Sequence, residues 1–235
     1  MLVAAAVCPC PPLLVPEVAS GAAPEMEPAR AACYDALGVL AAARPDRLYV
    51  LGPAEQPGRG PHPQGTRGSF AGFGVPLEVS LGKGDPARRE LPPSLAVGAW
   101  LLERTDWTGS PVEGLGIGEP LARSRCQETG RELAAGADRV ALLVMGDGSN
   151  CRTLKAPGYF DDRAAAFDAE AARSLGSADV DAILALDEEL AYDLKAAGRS
   201  SWQTLAGAGE GAGLAGRLLY DEAPYGVGYL VASWS

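Results

Sequence analysis

The sequence predicts an α/β fold with a mixed central sheet, and three observations carry that expectation. Short apolar runs alternate with amphipathic stretches along the chain, the pattern of strands and helices packed in layers. The clearest run, residues 139–145, is apolar without alternation after Arg139, as a strand covered on both faces must be. It empties into the polar loop Gly146-Asp147-Gly148-Ser149-Asn150-Cys151. The last two runs, 217–220 and 227–232, are joined by a short turn at 221–226, so they form a hairpin and make the sheet mixed rather than purely parallel.

Residues 2–7 form the first buried strand, closed by Cys8-Pro9-Cys10-Pro11-Pro12, where the prolines fix φ and remove backbone donors. Residues 24–43 carry Ala32, Leu37 and Leu40 at helical spacing behind a Pro-and-acid start, which predicts the first helix. Residues 47–51 read as a second buried strand ending at Gly52-Pro53. Residues 54–74, rich in Gly and Pro and without periodicity, read as a long loop. A strand is expected at 75–81, a helix at 93–104, a strand at 112–117 and a helix at 119–135. After the 139–145 strand, helices are expected at 160–175, 179–184, 188–196 and 201–208. No repeat or linker interrupts the series, so residues 1–235 read as one domain.

With 235 residues, 47% of them hydrophobic, the chain can bury a core, and disordered and fibrous classes drop out. A formal net charge of −10 repels phosphate backbones and anionic lipid, so neither nucleic acid nor a membrane surface is an expected partner. No apolar run approaches the ~20 residues that span a bilayer. The start lacks the basic region of a signal peptide, so a cytoplasmic location is expected. Five cysteines without a CxxC pair read as reduced thiols. The single histidine, His62, excludes any site that needs two histidines from one chain.

The 146–151 loop has the best position for chemistry. Ser149 as nucleophile, Asp147 as orienter and His62 as base would make a hydrolase arrangement. The reading the residues favour is a turn in which Asp147 and Ser149 satisfy backbone donors. Cys8, Cys10 and Cys151 offer three soft ligands for zinc or copper(I) if their strands are neighbours; the alternative is that they pack as small apolar residues. The glycine-rich stretch 207–213 follows a helix rather than a strand and reads as a helix end and turn. Asp179, Asp181, Asp187, Glu188, Glu189 and Asp193 read as solvated helix starts. His62, between Pro61 and Pro63, reads as a surface loop residue.

Several segments in order resemble the class III extradiol ring-cleavage dioxygenases of the protocatechuate 4,5-dioxygenase beta-subunit type. They are Pro9-Cys10-Pro11-Pro12-Leu13-Leu14-Val15-Pro16-Glu17, Gly146-Asp147-Gly148-Ser149-Asn150, Pro157-Gly158-Tyr159, Phe167-Asp168, Leu184-Ala185-Leu186-Asp187, Gly198-x-x-Ser201-Trp202 and Pro224-Tyr225-Gly226-Val227-Gly228-Tyr229. The resemblance implies a three-layer α/β/α fold with a mixed central sheet. In that family two histidines and a glutamate hold Fe(II), and a further histidine is the acid/base. Carried over, the ligand positions are Cys10, Ala54 and Ala196, and the acid/base position is Asn150.

Alanine has no donor atom and asparagine does not carry a proton at neutral pH, so ring cleavage is not expected, nor is a resident cofactor. The expectation is a pocket lined by Cys10, Ala54, Asp147, Ser149, Asn150 and Ala196 that binds an unidentified small molecule or a partner. As in relatives, assembly with itself or with another subunit is expected. The alternative is a divergent metal-dependent oxidoreductase, holding Fe(II) or Zn(II) on Cys10 with Cys8, Cys151, Asp147 or Glu55.

Overall fold

A computed structural model describes residues 1–235. In chain order its elements are β1 (Leu2–Cys8), α1 (Pro16–Ala19), α2 (Glu27–Ala42), β2 (Arg47–Pro53), β3 (Gly60–His62), β4 (Arg67–Ser69), β5 (Glu78–Ser80), α3 (Pro93–Arg104), β6 (Val112–Ile117), α4 (Arg123–Ala134), β7 (Val140–Met145), α5 (Ala164–Gly176), α6 (Val180–Leu184), α7 (Glu188–Asp193), α8 (Arg199–Gly209), β8 (Gly216–Glu222) and β9 (Tyr229–Trp234). Seven strands make one sheet in the order β3-β6-β2-β7-β1-β9-β8. The four central strands, β6, β2, β7 and β1, are parallel. The outer strands β3, β9 and β8 run antiparallel to their inner neighbours, β8 with a register shift between Leu218 and Tyr220. The expected mixed α/β sheet with helices on both faces is what the chain forms, hairpin included.

The central strands are apolar throughout because both of their faces are covered. From β1, Ala4, Ala6 and Cys8 point with Leu48, Val50, Leu143 and Met145 toward α2 and α3. Ala5 and Val7 point with Leu51, Leu142 and Val144 toward α5 and α8. This is the two-residue period of a strand read from both sides. No helix is long and apolar enough to cross a membrane.

Helix α8 is buried along all eleven residues although its sequence is polar, because α4 covers the side that faces away from the sheet. Part of its polar surface is satisfied inside: Thr204 Oγ1 donates to Ser200 O, and Gln203 Nε2 donates to the carbonyls of Leu184 and Leu186, while Ser200 Oγ, Ser201 Oγ and Trp202 Nε1 are buried without a partner. The close approach depends on glycine. A Cβ on Gly130 of α4 would overlap the carbonyl of Thr204, and one on Gly207 of α8 would overlap the carbonyl of Gln127. Gly130→Ala is therefore expected to destabilise the protein by up to about 2 kcal/mol in urea unfolding. The helix-propensity gain of about 1 kcal/mol is smaller than the about 1–3 kcal/mol that overpacking costs.

Two segments differ from the sequence expectation. Residues 54–74 are not one loop: they contain β3 on the edge of the main sheet and β4, which pairs with β5 in a separate two-stranded ribbon against α3. The strand expected at 75–81 shrinks to β5 and joins that ribbon, since Pro76 supplies no backbone donor at its start.

His62 is also not a surface loop residue. It is buried on β3, with Nε2 against Gly58 O at 2.8 Å and Nδ1 without a partner. Burial holds its pKa below the ordinary 6.5. The folded chain therefore keeps His62 neutral where the unfolded chain would protonate it, and stability falls as pH drops below about 6.5. In His62→Gln, where the amide can still donate to Gly58 O, that acid-side loss is expected to be smaller in urea unfolding between pH 7 and 5. Equal slopes in the two proteins would contradict it.

Candidate functional site

The four parallel strands end on the same side of the sheet, and the loops that follow them enclose a cleft there, the usual place for a site in such sheets. It has two adjoining hollows. The first, of about 710 Å³, holds Cys10 and Ala54 with Glu55, Arg59 and Glu119, between walls of proline rings. The second, of about 660 Å³, holds Asp147 and Asn150 with Glu119, Tyr192 and Lys195. Glu119 belongs to both. Cys10 and Asp147 join them directly, since Cys10 N donates to Asp147 Oδ1 at 2.8 Å.

The loop after β7 is held from several directions. Gly148 N donates to Gly228 O at 2.7 Å and Gly228 N returns to Ser149 O at 2.8 Å. Gly198 N donates to Asp147 O at 2.8 Å, and Asn150 N to Leu194 O at 2.9 Å. Under this loop lies Asp168 of α5, fully buried. Its Oδ1 accepts from Ser149 N and its Oδ2 from Ser149 Oγ, both at 2.7 Å, while Arg152 Nη1 lies 3.1 Å from Oδ2. Gly148 and Gly228 allow this: a Cβ on either would sit 2.7 or 2.5 Å from a carboxylate oxygen of Asp168.

Asp147 has no cationic partner. Burial pushes its pKa up to about 7, and the hydrogen bond from Cys10 N offsets only part of that. The Cys10 thiol is pushed well above the ordinary thiol range by burial and then by the Asp147 and Glu119 carboxylates. Cys10 is therefore a thiol rather than a thiolate at neutral pH, and a poor nucleophile.

Several sequence expectations change. Ser149 and Ala196 do not line the cleft: Ser149 is fully buried on Asp168, and Ala196 packs in the core beneath Ala197, which does line the second hollow. The hydrolase arrangement is not assembled, because the Ser149 hydroxyl is bound to Asp168 and His62 lies on β3 against Gly58. Asp147 does satisfy a backbone donor, Cys10 N, as the turn reading expects, whereas the Ser149 hydroxyl donates to the Asp168 carboxylate instead. Cys8, Cys10 and Cys151 do not converge. Cys8 faces α2 beside Cys33, while Cys151 belongs to the opposite core, with Sγ 3.5 Å from Gly158 O.

An Fe(II) centre of the kind the resemblance implies does not fit these residues. Of positions 10, 54 and 196 only Cys10 carries a metal-binding atom, and no group of three or more His, Cys, Asp or Glu side chains is placed to hold a metal ion.

Sequence reasoning missed three residues. Glu119 read as the first residue of a helix, but α4 begins at Arg123, and residues 119–122 form the loop that brings Glu119 into the cleft. Arg199, buried at the start of α8, fixes that loop by donating to the carbonyls of Glu119 and Leu121. Asp168 did carry a signal. It lies four residues from both Ala164 and Ala172, on the buried stripe of an otherwise apolar helix face.

No protein-family model matches the chain, and no curated protein matches it in sequence. A solved structure, that of an uncharacterized protein from Escherichia coli K12, shares the fold. It superposes over 99% of this chain and 100% of its own with a TM-score of 0.56, at 12% identity.

Proposed function

We propose that the chain is a class III extradiol dioxygenase-like protein that does not cleave rings and uses the cleft at the strand ends to bind a small molecule or a partner. One observation carries the reading: the cleft is built, with its loops tied down by Asp168 and Arg199, while the side chains facing it at Cys10, Ala54 and Asn150 cannot perform the parent reaction. Cavities of this size are in the range that small molecules occupy. The reading carries with it a cytoplasmic location and assembly with itself or a partner subunit, which light scattering and pull-down from native extract check.

The test is anaerobic loading with Fe(II), removal of excess metal, and measurement of bound iron and of oxygen uptake with catechol and protocatechuate. Little bound iron and no uptake above that of free Fe(II) are expected. Near-stoichiometric iron with ring opening would overturn the proposal, and loss of that iron in Cys10→Ala would identify a rebuilt metal site.

A further inference from the structure

The cleft's charges are unbalanced in a way that specifies a ligand. Asp147 and Glu119 face the second hollow, and neither takes part in any ion pair of the structure. The third acid there, Asp193, is already paired with Arg163. Lys195 is the one cation in the lining, against these two unpaired carboxyl groups.

Beside them Cys10 is more than nine-tenths buried and lines the first hollow, with a thiol that has no hydrogen-bond partner. Its sulfur is a free acceptor close enough to the Asp147 and Glu119 carboxyl groups to feel the charge of both. Glu119 is exposed, but Asp147 is largely buried, and a buried carboxyl without a cation is costly, which a positive ligand would relieve.

The arginines of the first hollow, Arg59 and Arg89, are outnumbered in its lining by Glu55, Glu90 and Glu119, so it is not an anion site. Arg59 Nε is bonded to Ala54 O, and Arg89 donates Nη1 to Arg59 O and Nη2 to Pro61 O. Five proline rings, Pro53, Pro57, Pro92, Pro93 and Pro120, form the apolar part of the wall and contribute no backbone donor, and Glu55 and Glu90 add further carboxylates to it. Such a wall suits hydrocarbon. A bare metal ion is a poor occupant, since no three donors are placed around one point.

We infer that the cleft takes an organic amine in its protonated form, with the ammonium group between Asp147 and Glu119 beside the Cys10 sulfur and the hydrocarbon part against the proline wall. This rests on the reading of the cleft as a ligand site. An ammonium group has three N–H donors, and charge-assisted hydrogen bonds to carboxylate are the strong ones.

Binding of the cation favours ionised Asp147, so affinity rises with pH up to the point where Asp147 is ionised without it. The other titratable groups around Asp147 are Cys10 after β1, Glu119 after β6, Tyr229 on β9, and Tyr192, Asp193 and Lys195 from α7 and the turn after it. Tyr229 is held protonated by burial and by Asp147 itself. Cys10 stays protonated for the reasons given above.

The experiment is calorimetric titration of the full chain with 2-phenylethylamine and butylamine, alongside 2-phenylethanol and phenylacetate as neutral and anionic counterparts. At about pH 8 an amine is expected to bind at least about tenfold tighter than either counterpart, and Asp147→Asn and Glu119→Gln are each expected to weaken it by about tenfold or more. Between about pH 5.5 and 8 amine affinity is expected to rise in the wild type and stay flat in Asp147→Asn. The asparagine amide oxygen can still accept from Cys10 N, and urea unfolding confirms that each variant is folded.

The inference is overturned by no amine binding at about 10 mM, by equal binding of amine and alcohol, by tighter binding of phenylacetate, or by unchanged affinity in both variants. Binding of the alcohol or the acid in the same cleft would sink the amine while leaving the ligand site standing. Ring cleavage in the oxygen assay would sink the non-catalytic reading whatever the amine does.

Discussion

Asp147→Asn is expected to make the protein more stable at pH 8, by about 2–4 kcal/mol, and to leave it nearly unchanged at pH 4. In the folded chain the Asp147 carboxyl holds its proton up to about pH 7, whereas its ordinary pKa is 3.8. Between those values the folded state binds a proton that the unfolded state does not. Wild-type stability therefore drops as pH rises through that window, and above it the full cost remains. Fully ionised, such a carboxyl forfeits about 4 kcal/mol, and the solvent contact that Asp147 retains at the hollow lowers the figure.

Asparagine removes the charge and keeps an acceptor for Cys10 N, so the variant lacks the slope. Urea unfolding of both proteins at the two pH values decides it; a constant difference between them would show that Asp147 does not carry the proton. His62 acts in the opposite direction over part of the same range, so only the difference between variant and wild type isolates either group. A residue that costs stability at neutral pH and faces a cleft has the profile of one kept for what it binds.

Asp168→Ala is expected to cost about 3–5 kcal/mol, the largest loss of any single change discussed. The substitution removes both partners of Ser149, its backbone N–H and its hydroxyl, and leaves Arg152 without its carboxylate. All three contacts lie under the 146–151 loop, so the effect is local as well as global. Hydrogen exchange of Gly148, Ser149 and Asn150 is expected to speed up more than that of the β7 amides. Asp168→Asn keeps two acceptor lone pairs on one atom only and is expected to fall between wild type and alanine. If Asp168→Ala unfolded at the wild-type urea concentration with the loop still protected, the role assigned to this carboxylate would be wrong.

What could be read from the residues follows from how locally each feature is determined. The strands at 2–7, 47–51 and 139–145 were legible because burial on both faces demands an unbroken apolar run. Helix α3 was legible to the residue, Pro93–Arg104, because proline and apolar spacing fix its start and extent. The three-residue strands β3 and β4 were not, since Gly60-Pro61-His62 and Arg67-Gly68-Ser69 show no period and exist only through pairing with distant partners.

In the cleft, the positions of Cys10, Ala54, Asp147 and Asn150 came from motif order. Whether Ser149 faced solvent or core was decided by Asp168, nineteen residues away in sequence, and no local pattern reports that contact. The entry of Glu119 likewise depends on Arg199, a contact spanning 80 residues.

The two margins of the central sheet bear on how copies of this chain meet. On one side β3 is only three residues long, its middle residue is a proline, and Arg89 already occupies the outward carbonyl of Pro61. On the other side β8 is bent by its extra residue at Leu219 and presents Arg217, Asp221 and Glu222 to water. Neither margin offers a straight, uncharged row of free N–H and C=O groups on which another strand could grow. Strand addition at either margin is thereby disfavoured, so the sheet does not offer a template for fibrillar stacking of copies.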